Sequence, residues 1–522
     1  MKLGNCPCKE AVRPGLNQNE APFLEAVQAY ADAGIVPFHT PGHKQGRGAS
    51  PALVESLGPR ALRIDVSDVL LSPRYNDSWT AALSAAERLA ADLLGADYCY
   101  FLANGTSGGV HAMVMAAAAG RKIIVARSSH RSVIGAVILA DAWPVYVDPV
   151  YDPELGLWLP PPPAAWERAM DAHPDAAAVL VTYPTYEGVA LDLQRVAEAA
   201  HARGLAVLVD EAHGAHFGLH PALPPRALAL GADLSAQSPH KLLGSLTQAS
   251  WLLGRRGRVE QDAVAAVLGV LQTTSPSALL YGSLDEARRQ VARRGRDMME
   301  KALAAAAKVR RAAAALPGVD VEDLTERLAG RSSAPGAGGR VPAAGCAGAD
   351  PTKLLIRVDG AGWNGFAAAA ELRRLGVQVE MGTARHVLAL ATFGDDDDTV
   401  AALTGALARL AGNPPPPGHP AGPWEDAGFD PAAVFPAAAE PVMRPRAAAL
   451  APSETVPLAE AAGRVASDVV SPYPPGVPVL CPGEQVTADA VEYLQAILDR
   501  GGEVRGLLGE RDAPAVRVVG AR

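Results

Sequence analysis

Cysteine is scarce: Cys6, Cys8, Cys99, Cys346 and Cys481 are the five in 522 residues. Scattered and odd in number, they form no disulfide framework and suit a reducing compartment. Cys6 and Cys8 flank one proline, but no Cys/His pair stands at the spacing that would complete a zinc site, so no metal is expected. Surplus positive charge is missing as well. Lys and Arg number 47 against 56 Asp and Glu, a net charge of −9. That balance gives no support to a nucleic-acid partner and is congenial to a cationic small molecule. No apolar run reaches the roughly 18 residues of a membrane helix, and Met1-Lys-Leu-Gly-Asn5 opens no secretion signal. A cytoplasmic protein with no membrane partner is expected.

Apolar residues make up 49% of the chain, enough for sizeable cores, and its length calls for more than one domain. Residues 1–60 read as an N-terminal arm, with a helix over Phe23–Ala33 and a Pro/Gly/His-rich turn over Pro37–Lys44. Residues 61–310 alternate helical Ala/Leu patterns with β-rich runs at Tyr98–Leu102, Ile123–Ala126, Val145–Val147, Ala178–Thr182 and Ala206–Asp210. That rhythm predicts an α/β fold, a mostly parallel sheet with helices on both faces and ligands at the strand ends. A long helix is expected over Asp285–Ala315. Residues 311–412 read as a small α+β domain, with strands at Leu354–Val358, Val377–Met381 and His386–Thr392 and a helix at Phe366–Leu375. Within it, Gly330–Ala349 reads as a flexible glycine-rich loop. The acidic run Asp395–Asp398 reads as helix-cap chemistry. A proline-rich linker over 413–440 leads to a C-terminal α+β unit, 441–522.

Polar residues gather where the strands end. Asn104-Gly105-Thr106-Ser107-Gly108 follows one strand and opens an apolar helix, a turn that presents amides and hydroxyls to an anion. No Gly-Lys-Ser/Thr follows it, and it lacks the full dinucleotide fingerprint. His130 follows the next strand, Thr182-Tyr-Pro-Thr-Tyr-Glu-Gly188 a third and Asp210 a fourth. Downstream, Ser238-Pro-His240-Lys241 offers an amine. A lysine in a small polar loop, after an aspartate that ends an apolar strand, is the arrangement that holds pyridoxal phosphate: the amine binds the aldehyde and the carboxylate keeps the pyridine nitrogen protonated. Convergence of four strand ends on one crevice is what an active site requires.

Seven ordered motifs carry a resemblance. Phe38-His-Thr-Pro-Gly-His-Lys44, Asn104-Gly-Thr-Ser-Gly108, Ser129-His-Arg-Ser132, Pro184-Thr-Tyr-Glu-Gly188, Asp210-Glu-Ala-His213, Ser238-Pro-His-Lys241 and Tyr473-Pro-Pro-Gly-Val-Pro478 with Pro482-Gly-Glu484 resemble the bacterial Orn/Lys/Arg decarboxylase family, in its shorter Gram-positive type. The resemblance runs from about residue 20 to about 500 and implies the type I pyridoxal-phosphate (aspartate-aminotransferase) fold. It implies an α-decarboxylase of a basic L-amino acid, arginine to agmatine first, then lysine to cadaverine or ornithine to putrescine. Lys241 would be the Schiff-base lysine, Asp210 the partner of the pyridine nitrogen and His130 the residue stacked on the ring. Gly105, Thr106, Ser107, Ser238 and His240 would hold the phosphate, and His213 would neighbour the phenolic oxygen. Pro239 stands where many relatives carry threonine. Glu484 is the candidate for the distal cation of the substrate. Thr273–Ser277, with Thr274 and Ser275, resembles the stretch that reaches a partner subunit's pocket, so a homodimer or larger homo-oligomer is implied. An aminotransferase or aldolase-like enzyme on the same scaffold is the alternative, with Arg357 or Arg385 as its α-carboxylate clamp; a non-catalytic regulatory relative is the third reading.

Overall fold

The computed structural model describes residues 16–329, 345–413, 415, 441–473 and 476–520. Most of the proline-rich segment 413–440 and all of the segment 330–344 lie outside these residues. Seven strands form the central sheet: β1 (Tyr98–Leu102), β2 (Lys122–Ala126), β3 (Trp143–Val147), β4 (Ala178–Thr182), β5 (Ala206–Glu211), β6 (Leu234–Gln237) and β7 (Ser250–Gly254), in the order β1-β7-β6-β5-β4-β2-β3. The pairs β3–β2, β2–β4, β4–β5 and β5–β6 are parallel. Only β7 runs the other way, antiparallel to both β6 and β1. The ends of β1, β2, β4, β5 and β6 therefore open on one side.

The inner strands are continuous apolar runs because both sheet faces are covered. Val179, Val181, Val207 and Val209 join the core on one face, while Ala178, Leu180, Ala206 and Leu208 join the core on the other, the two-residue alternation of a strand. Two of the seven strands, β6 and β7, were not among those read from the sequence.

The helix Ala278–Ala313 runs 36 residues, about 54 Å at 1.5 Å per residue. Its first half packs in the core of the large sheet and its last turns in a second core. Asp285 and Arg288 are buried on it and paired at 2.8 Å. The free oxygen of Asp285 accepts the Phe23 amide (2.9 Å), so this carboxylate satisfies the start of the N-terminal helix Pro22–Asp32.

The second core lies under a four-stranded antiparallel sheet of β8 (Asp320–Val321), β9 (Lys353–Arg357), β10 (Met381–Gly382) and β11 (His386–Leu390), in the order β8-β9-β11-β10. The strand expected over Val377–Met381 is shorter and later, at β10. Part of the expected Gly330–Ala349 loop is also corrected: Cys346–Ala349 forms a strand that pairs antiparallel with Val189–Leu191, whose edge would otherwise be unpaired. The acidic run behaves as a cap, with Asp396 accepting the Asp398 and Thr399 amides at the head of the helix Asp397–Gly412. Such a cap contributes about 1 kcal/mol.

The residues from Arg444 onward build a third core around Leu480, Leu494, Val516 and Val518, against which Phe366 of the small sheet's helix packs. The strands Ser453–Pro457 and Ala515–Val519 pair beside the helix Ala488–Asp499.

Candidate active site

The strand ends open on a cavity of about 500 Å³. Gly105, Thr106, Ser107, His130, Asp210, His213, Ser238, His240 and Lys241, all singled out in the sequence, line it.

The anion cradle is built from three elements. Gly105 (φ +62°) starts the helix Gly105–Ala118, and its amide donates to the Gln248 carbonyl (2.9 Å). A side chain at this left-handed position would be strained. Asn104 supplies no side-chain cap to the helix, which leaves first-turn amides for an anion. The Thr106 hydroxyl bonds to Ser238 and, at 2.9 Å, to Ser250. His240 donates from Nδ1 to the Ala249 carbonyl (2.8 Å), which pins the turn that carries Lys241.

Asp210, the last residue but one of β5, stands beside Thr182 of β4 and is 4% exposed. It accepts the Ala212 amide (3.2 Å). Burial pushes its carboxyl up, and the charge of Lys241 draws it partly back. Burial likewise pushes the Lys241 amine down, against the pull of Asp210 and Glu380. His130 caps the helix Arg131–Ala140, its Nδ1 accepting the Ser132 amide (3.2 Å). Burial first, then the charges of Lys241 and Arg131, hold it down to about 4, so it is neutral near pH 7.

Three neighbours were not foreseen. Lys353 of β9 is 2% exposed and reaches the Nδ1 atom of His213 at 2.8 Å, while Lys241 stands 2.8 Å from Nε2 of the same ring. The Tyr186 hydroxyl donates to Glu380, and both line the cavity. Tyr186 stood in a motif of the sequence, but Lys353 opens an ordinary apolar strand, and only the tertiary fold turns its amine inward.

The remaining candidates lie outside this cavity. Glu484 does not line the cavity. It is buried, accepts Arg127 Nη2 (2.8 Å) and the Cys481 amide (3.1 Å), and so answers a buried guanidinium of the chain's own. Arg127 also donates to the Pro478 and Val479 carbonyls, tying the C-terminal unit to the end of β2. Thr274 and Ser275 lie exposed on the surface of the single chain, away from its own cavity. Arg385 pairs with Asp359 (2.7 Å) and Arg357 with Asp359 (2.8 Å), and neither lines the cavity as a carboxylate clamp would. Among the described residues no group of three or more His, Cys, Asp or Glu is placed to hold a metal ion, and no helix is long and apolar enough to cross a membrane.

The residues fit pyridoxal phosphate. A buried carboxylate needs a cationic partner, which a protonated pyridine nitrogen supplies. The Thr182 hydroxyl, also lining the cavity, is buried with no hydrogen-bond partner among the described residues.

A lysine, a strand-end carboxylate and an anion cradle converging on one side of this sheet define the type I pyridoxal-phosphate fold. The constitutive lysine decarboxylase of Escherichia coli matches it with a TM-score of 0.77 at 22% identity, over 97% of this chain and 82% of that one. The particular family follows from sequence. The Orn/Lys/Arg decarboxylase major domain matches residues 21–399 and the C-terminal domain of the same family matches residues 431–508. The chain belongs to that family. It is 36% identical to an arginine decarboxylase of Halalkalibacterium halodurans over 495 residues, 94% of this chain and 96% of that one. It is also 36% identical to one of Bacillus subtilis over 498 residues, with the same shares.

Proposed function

We propose that the chain is a pyridoxal-phosphate-dependent α-decarboxylase of arginine, with lysine and ornithine as poorer substrates. The observation that carries the reading is the placement of Lys241 in a cavity shared with the buried carboxylate of Asp210 and the cradle at Gly105–Ser107. The preference for arginine is supported by the relatives that align over nearly the whole chain.

The cofactor, when bound, supplies an electron sink for the bond pair left at Cα. The chain's own residues do the rest. Lys241 Nζ would hold the cofactor. Asp210, shielded from water, would stabilise positive charge on the ring nitrogen. His130 stays neutral and so adds no positive charge near the ring. In the net reaction the bond from Cα to the carboxylate breaks, CO₂ leaves and a proton takes its place at Cα.

With Glu484 committed to Arg127, the distal cation falls to Glu380. The Tyr186 hydroxyl holds one oxygen of Glu380 at the cavity wall, and the other, with no hydrogen bond among the described residues, could meet a planar guanidinium. Glu187 also lines the cavity, but burial raises its carboxyl and Thr185 bonds to it. The apolar arm residues Val36 and Phe38, 58% and 94% exposed, support a homodimer in which a second copy covers them.

The test is separate incubation with arginine, lysine and ornithine, scoring CO₂ together with agmatine, cadaverine and putrescine. Arginine is expected to give the highest kcat/KM. A keto acid without CO₂ would reject decarboxylation, and faster turnover of lysine would reject the arginine preference. Lys241→Ala is expected to lose the visible absorbance of the bound cofactor; a band that survives would reject the assignment of Lys241.

A further inference from the structure

His213 is sandwiched between two lysines. Its ring is 6% exposed, with Lys241 Nζ 2.8 Å from Nε2 and Lys353 Nζ 2.8 Å from Nδ1. A neutral imidazole offers one N–H and one lone pair, so the two amines cannot play the same part. Either Lys353 donates to Nδ1 and Nε2–H donates to the Lys241 lone pair, or the roles are reversed.

The surroundings decide between the two. Lys353 also donates to the Tyr186 carbonyl (3.0 Å), and the carboxylates of Asp350, Glu187 and Glu380 are its anionic neighbours. Two acceptors and three anions suit an ammonium. Among the described residues Lys241 Nζ has no hydrogen-bond partner besides His213, and burial acts against its ammonium while the charges of Asp210 and Glu380 favour it. His216 is drawn off to Asp350 (2.9 Å), and His130 touches neither amine by hydrogen bond. Burial holds Lys353 down to about 8, still above neutral pH, and holds His213 far below its ordinary value.

The backbone also makes room for this lysine. Gly188 has φ +100°, and a Cβ there would lie 2.8 Å from Lys353 Cγ, so the chain passes the lysine stem with no side chain.

We propose that Lys353 is a positioning residue that reaches from the small sheet to fix His213 as the Nε2–H tautomer, and thereby presents the Lys241 amine as the free base that captures the cofactor. This rests on the reading of Lys241 as the cofactor lysine. Lys353 touches no reacting atom and acts through His213.

Two measurements test it. In the protein freed of cofactor, ¹⁵N-histidine NMR at pH 7 is expected to find His213 protonated at Nε2 and not at Nδ1; the opposite tautomer overturns the proposal. This measurement needs no cofactor, so it decides whether Lys353 fixes the tautomer of His213 whether or not the reading of Lys241 stands. In the reconstituted enzyme, Lys353→Met is expected to slow cofactor capture at pH 7 about tenfold and to move the pH midpoint of the visible band by about one unit, equivalent to a tenfold change in the proton equilibrium. Lys353→Arg, which keeps a donor and its charge, restores most of both. A Lys353→Met protein that is less stable yet captures cofactor at the wild-type rate with an unmoved midpoint has lost packing alone, and that overturns the proposal. If wild-type protein forms no visible band, the reading of Lys241 fails, and the tautomer alone judges the role of Lys353.

Discussion

At the scale of single residues, the side chains that line the cavity were legible in the sequence and their partners were not. Asp210, His130 and Lys241 stand at strand ends, and position along the chain is enough to mark such places. Glu484 was misjudged because a Pro-Gly-Glu turn does not disclose that Arg127, 357 residues away in sequence, lies beneath it. A carboxylate free for substrate and one bonded to a buried guanidinium look alike in sequence. The two roles part under mutation. Glu484→Gln removes the carboxylate that Arg127 meets at 2.8 Å and is expected to cost about 3 kcal/mol, read as a lower urea midpoint. KM for arginine in the protein that remains folded should be unchanged. A large rise in KM at undiminished stability would return Glu484 to the substrate.

At the scale of elements, five of the seven central strands follow from apolar runs, and the two that escaped explain themselves physically. In β6, Ser235 and Gln237 are fully buried polar residues, a pattern that reads as loop. They are tolerated because Glu211 at the end of β5 accepts from both, and from the Ala227 amide at 3.0 Å. The polar strand is thus stabilised by a neighbour that only the sheet brings alongside. Close approaches between elements were equally hidden. The helix Gly365–Arg374 begins where a Cβ on Gly365 would lie 1.9 Å from the His386 carbonyl oxygen, and a Cβ on Gly382 of β10 would lie 2.3 Å from the Gly365 carbonyl oxygen. Gly365→Ala must push the helix off the β10–β11 turn. It is expected to cost about 3 kcal/mol, the upper range of overpacking, seen as a lower midpoint in thermal unfolding. Gly376→Ala would meet open space, but its φ of +88° makes it a control for backbone strain rather than crowding.

At the scale of the whole molecule, the alternation of strands and helices disclosed the architecture, and the assembly of its parts stayed out of view. Periodicity marks which face of an element is apolar but says nothing of which other element covers it. The exposed Phe38 belongs to this scale, since among the described residues none covers it. Sedimentation of the wild type is expected to give twice the chain mass, and Phe38→Asp to shift the balance toward single chains; a wild type that sediments as a monomer would remove the homodimer from the reading. The 36-residue helix Ala278–Ala313 threads one core and ends in the other, so the lysine of the small sheet and the lysine of the large sheet come to one imidazole only after both cores have docked. Uptake of cofactor then becomes an inspection step in the life of a newly made chain: a molecule with either half misplaced would be folded in its parts, normal in helix content, and colourless.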